Sequence, residues 1–205
     1  MYSKRSNLTI GFHGCDREVA KLIVSGDKKM LPSSNNYDWL GHGFYFWENN
    51  LTRAYQFANE QMERFEKTLI KSKVEFPAVI GSVIDLGNCL DLLDADNLQI
   101  VKRSYEILKS LVDSENPELP VNRQISGDLM IRHLDCAVIQ NIHALNKAQG
   151  LQPYDSVRGV FFEGADLYLN AGFKEKNHIQ ICICNPNCIK GFFNPIEINS
   201  EYSRP

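Results

Sequence analysis

The chain has 205 residues, 43% of them hydrophobic and 23% charged, enough apolar material for one domain with a sizeable core. A net charge of −3 and a pI near 6.0 give no electrostatic reason to expect non-specific binding to nucleic acid, and leave contact with RNA or protein through a local patch open. No run of residues is long and apolar enough to span a bilayer or act as a signal peptide, so a cytoplasmic protein with no membrane partner is expected, its six cysteines reduced thiols.

In chain order, "NLTIGFHGC" predicts a strand ending in a glycine turn, then a helix capped by Asp16 and running to Ser25. "SGDKKMLPSSNNYDW" is a polar loop, and "GFYFW" a short buried strand. A long helix follows in "NNLTRAYQFANEQMERFEKTLIKS", with Leu51, Ala54, Phe57, Ala58, Met62 and Phe65 recurring at helical spacing. "FPAVIGSVIDLGNCLDL" gives one or two strands punctuated by Gly81 and Gly87. Residues 95–147 form a helical insert, broken by the polar loop "DSENPELPVNRQISGD". "VRGVFFEG", "HIQICICNP" and "CIKGFFNPIEIN" are the closing strands. The whole reads as a single α+β domain over 1–205, its sheet built from distant segments.

Three places carry unusual residues. At "FHG", a glycine after His13 lets a ligand approach the backbone closely, although for the pair taken alone a turn glycine beside a satisfied histidine is the plainer account. In "YDWLGHGFYFWENN" (37–50), Tyr45 alternates with Phe44 and Phe46, so its ring faces the other way and is available to a flat ligand; a core strand is the plainer account. In "HIQI", Gln180 shares a strand with small apolar residues. Other candidates are weaker. Cys182 and Cys184 point to one strand face and no CxxC pair completes a zinc set, so no metal is expected. His133, Cys136 and His143 fit a packed helix face, and "GHGFYF" lacks the third glycine of a dinucleotide fingerprint. His42 can line a site mouth or donate to a loop carbonyl.

Taken in order, "FHGC" (12–15), "GHGFYFWENNLTRAYQFA" (41–58), "AVIGSVIDLGNCLDL" (78–92) and "HIQICICNPNCIKGFF" (178–193) resemble the catalytic core of ADP-ribosyltransferases of the diphtheria-toxin and poly(ADP-ribose) polymerase class. The resemblance implies two small antiparallel sheets forming a cleft for NAD as co-substrate. It gives His13 the adenosine ribose, Gly14 the nicotinamide carboxamide through its backbone, and Tyr45 the nicotinamide ring. A second aromatic from the next helix is Tyr55 or Phe57. Arg53 stands where the family has a carboxamide-binding serine. The family's catalytic glutamate falls on His178 in an ungapped match and on Gln180 by strand pattern, and Gln180 is preferred.

That departure bears on the chemistry. Breaking the nicotinamide–ribose bond develops positive charge on the sugar, which a nearby carboxylate stabilises. Glutamine can hydrogen-bond a ribose hydroxyl but supplies neither charge nor a general base. Glu163, at a strand end in "VFFEGADLY", is the reserve carboxylate or else a solvated turn residue; Glu48 is expected to cap the helix starting near Leu51. The resemblance therefore implies transfer of a single ADP-ribose to a protein or nucleic-acid acceptor, with an idle NAD- or ADP-ribose-binding module as the rival. Free-standing domains of this class often act as toxins or in defence and then have a neutralising partner. His13, Tyr45 and Gln180 are expected to line one cleft.

Overall fold

The computed structural model describes residues 8–63, 74–112, 118–125, 127–196 and 200–202. Its first half runs β1 (Leu8–Asp16), α1 (Arg17–Ser25), β2 (Phe44–Glu48), α2 (Leu51–Glu63), β3 (Pro77–Asp85) and β4 (Cys89–Asp91). The second half runs α3 (Ala95–Ser110), β5 (Asn122–Ile125), β6 (Asp128–Arg132), α4 (His133–Ala148), β7 (Ser156–Phe161), β8 (His178–Ile183) and β9 (Ile189–Phe193). The architecture is α+β.

Local sequence accounts for most boundaries. Asp16 ends β1 and caps α1, accepting the Glu18 N–H at 2.9 Å, and Gly26 closes that helix in the left-handed region. Gly14 is not a turn residue but lies inside β1. The helix after β2 is capped by Asn50, whose side chain accepts the Arg53 N–H at 2.9 Å. Glu48 is not that cap: it pairs with Arg158 on β7, Oε1 to Nη2 at 3.1 Å, because its side chain points across the sheet rather than along the helix. The inward face of α2 is Arg53, Ala54 and Ala58, whereas Leu51 and Met62 are exposed; Phe65 lies outside the described residues. The insert also differs from expectation, since β5 and β6 form an antiparallel hairpin within 95–147.

The sheet order is β4-β7-β8-β2-β1-β3-β9, one seven-stranded sheet in place of two small ones. Every pairing given in it is antiparallel except β4 with β7. Alternation divides its side chains into two cores. Phe46, Ile84, Ile181 and Ile183 pack on one face, continuing into Cys15, Ile80 and the α1 residues Ala20 and Ile23. On the other, Leu40, Leu90, Val157, Phe161 and Cys182 pack against Ile139 and Ile142 of α4. Burying such side chains contributes about 1.5–3 kcal/mol each. Among the described residues, no helix is long and apolar enough to cross a membrane.

Candidate functional site

The sheet brings the three motif-bearing strands side by side, in the order β8-β2-β1. The junction between β1 and β2 is narrow. Only Gly11↔Glu48 and Phe12↔Trp47 pair, and the ladder then ends. Just beyond it, the His13 ring ties the strands together, Nδ1 lying 2.9 Å from the Tyr45 carbonyl. Burial holds the His13 pKa below its ordinary value, so the neutral ring donates from Nδ1 and keeps Nε2 as an acceptor. The Asn49 N–H donates to the Ile10 carbonyl at 2.8 Å, which fixes the direction of alternate peptide groups along β1. By that alternation the N–H and C=O of Gly14 point toward the β2 side, where no ladder pair involves them.

Gly14 has a second, structural reason to be glycine. A Cβ there would sit 2.1 Å from the Ala54 carbonyl oxygen, so α2 reaches its position only over a bare Cα.

The expected single cleft does not form around three side chains. His13 packs edge-on to Phe46, ring centroids 6.1 Å apart, on the α1 face. Tyr45, next to Phe46 in an extended strand, therefore points to the opposite face, where it packs against the Leu40 and Ile139 cluster. Its hydroxyl accepts the Leu40 N–H at 2.9 Å and donates to the Gly41 carbonyl at 2.6 Å. Gly41 takes a left-handed φ of 78° to present that carbonyl. Tyr45 thus pins the glycine loop, and burial pushes its phenol well above the ordinary range. Gln180 does lie on the Tyr45 face, directly across from Trp47 and Gly159.

A buried polar group lies on that face beside Trp47. Arg53 is 4% exposed and Glu163 6%, with Nη2 and Oε2 3.1 Å apart. Glu163 is therefore not a solvated turn residue. His178 lies 3.5 Å from the same oxygen through Nδ1, which also contacts the Lys176 carbonyl at 2.6 Å; burial lowers its pKa. Arg53 reaches Glu60 at 3.7 Å, and Glu60 pairs with Lys176 at 2.7 Å. Phe57 packs on Trp47 with centroids 4.8 Å apart, whereas Tyr55 is 47% exposed on the outer side of α2. Trp47 Nε1, Arg53 Nε and His178 Nε2 are buried without a hydrogen-bond partner among the described residues. Each such group costs about 1–3 kcal/mol.

Sequence patterns had Trp47 only as core and Arg53 only as a departure from serine; the link to Glu163 spans 110 residues and leaves no local signal. A separate cavity of about 450 Å³ lies between α3, α4 and β7, walled by Trp39, Arg132, Val138, Ile139 and Phe161. None of His13, Tyr45, Gln180 or Glu163 lines it. His42 is exposed. His133 contacts the Asn36 carbonyl at 3.0 Å, Cys136 is buried in the α4 core, and His143 sits beside Cys184. Among the described residues, no three His, Cys, Asp or Glu side chains converge as a metal site.

The chain is 27% identical over 197 residues to an uncharacterized protein of Methanocaldococcus jannaschii, the match spanning 87% of this chain and 83% of that protein. No family model and no solved structure matches the chain.

Proposed function

We propose that the protein is a NAD-dependent mono-ADP-ribosyltransferase, passing one ADP-ribose to a protein or nucleic-acid acceptor and releasing nicotinamide. The observation that carries this is the parting of β1 from β2 at His13 and Gly14, with the Gln180 strand as the other neighbour of β2. An amide can pair with the unladdered peptide edge of Gly14, as a strand would. His13 Nε2 accepts from a ribose hydroxyl while Nδ1 holds the split at its present width. Gln180 orients the hydroxyls of the second ribose. The ligand lies in the split between two strands, which is how residues from both sheet faces contribute. Tyr45 serves it by fixing the loop at Leu40 and Gly41, and the exposed Tyr55 or the Trp47-packed Phe57 remains the flanking aromatic.

In the reaction the nicotinamide–ribose bond breaks with its electron pair leaving on nicotinamide. An acceptor nucleophile attacks the sugar carbon and releases its proton to solvent water. Glu163 supplies the negative charge opposite the developing cation. A second reading, an idle module that binds NAD or ADP-ribose, is favoured by one observation: Arg53 already neutralises Glu163 at 3.1 Å. Nicotinamide release from NAD by the purified protein, with and without lysate as acceptor source, separates the two. Release that rises with lysate supports transfer. NAD binding without release supports the module, and neither binding nor release rejects both.

A further inference from the structure

Cys184 follows the last residue of β8, an interior strand, and lies half-buried at that strand's C-terminal end beside His143 of α4. Its Sγ is 3.8 Å from His143 Nε2. The imidazole is itself held edge-on to Tyr154, centroids 6.3 Å apart. The backbone of Cys184 is fixed by its N–H donating to the Asp155 carbonyl at 2.8 Å. Two residues back along the strand, Cys182 is fully buried, its S–H 3.6 Å from the Gly41 carbonyl that also takes the Tyr45 hydroxyl. Cys184 packs partly against the Leu40 and Ile139 core, but a half-buried thiol within reach of an imidazole and braced at its backbone also has the surroundings of a nucleophile.

We propose that Cys184 is a reactive-cysteine modification site, a thiolate assisted by His143 that hydrogen peroxide converts to sulfenic acid. The sulfur passes its proton to the imidazole and attacks one peroxide oxygen. The S–O bond forms as the O–O bond breaks, and the departing hydroxide recovers the proton from His143 as water. Sulfur loses two electrons and the peroxide gains them, so no further reactant is needed.

The groups around the sulfur agree with this assignment. The neighbouring Cys182 thiol and then His143 hold the Cys184 pKa below that of an ordinary thiol, against burial and the Asp155 carboxylate, which act the other way. Cys182, facing Tyr45 and Asp38, is pushed well above its ordinary value by burial. Of the six cysteines, all unpaired, Cys89 is the natural comparison. It is half-buried like Cys184, but burial raises its pKa to about 11.

The test is alkylation of the native protein by iodoacetamide near pH 6, with mass mapping of all six sites. Cys184 is expected to react at least about tenfold faster than Cys89, and the difference to vanish in denaturant. His143→Asn should slow Cys184 by about tenfold without changing Cys89. After peroxide, dimedone should add at Cys184. Equal native rates at the two cysteines would overturn the proposal. So would a Cys184 rate indifferent to His143→Asn, or dimedone adding elsewhere while Cys184 stays unmodified. A variant that unfolds is recognised because the buried Cys15, Cys136, Cys182 and Cys188 then react as fast as Cys89, whereas in a folded variant they stay slow.

Discussion

Arg53 and Glu163 show how much of the candidate site rests on single side chains. A buried pair of this kind contributes little net stability, since desolvation offsets the attraction, but losing one partner strands the other charge. Glu163→Gln should therefore destabilise the protein by about 3–5 kcal/mol, and Arg53→Met combined with Glu163→Leu by much less. Urea unfolding of the single and double variants measures both, and additive losses would show that the two side chains do not act as a pair. Tyr45→Phe keeps the ring and removes a hydroxyl that joins the Leu40 N–H to the Gly41 carbonyl. It should cost about 1–3 kcal/mol; an unchanged melting temperature would mean that the loop is not pinned there. At this scale, alternation alone reads the face of Tyr45 correctly, because neighbouring strand residues must point apart. The partner of its hydroxyl is invisible to a pattern, since it depends on how the Gly41 loop folds back. His13 went to the other face for the same geometric reason that Tyr45 did not.

Asp16 links two elements, accepting from the Phe76 and Glu75 N–H groups at 3.0 and 2.9 Å as well as from Glu18 at the start of α1. These bonds, that to Phe76 first, hold its carboxyl below the ordinary 3.8. The stabilisation is therefore complete above that ordinary value and is lost as the pH falls from it toward the depressed one. Asp16→Ala should lower stability by about 1 kcal/mol at neutral pH, and the gap to the unaltered protein should narrow below about pH 4. Melting curves across that range test the sign; a gap that widens in acid would contradict it. Gly14→Ala should cost about 1–3 kcal/mol with no NAD present, because α2 must move off β1. Full stability in that variant would leave ligand approach as the only reason for the glycine. The start of α1 is legible because a cap and an apolar period coincide at Asp16. The β5–β6 hairpin is not, since "NRQI" is polar and mostly exposed, with no alternation to mark a strand. Glu48 departs from expectation for a different reason: proximity to a helix start suggests a cap, while its strand register aims it at Arg158.

On the scale of the whole molecule, α+β class and most strands follow from apolar runs separated by glycine and asparagine. Their order in the sheet does not, because β8 joins β2 across more than half the chain and only the folded register sets Trp47 opposite Gln180. That same register gives the sharpest test of function. If the split beside β2 holds the nicotinamide ribose and Glu163 already faces the developing positive charge, Gln180→Glu should change nicotinamide release from NAD little, whereas Glu163→Gln, under conditions where it stays folded, should abolish it. A rise of about tenfold in Gln180→Glu, equivalent to about 1.4 kcal/mol of barrier, with release by folded Glu163→Gln unchanged, would mean that the missing carboxylate belongs at residue 180 and would contradict the assignment of Glu163.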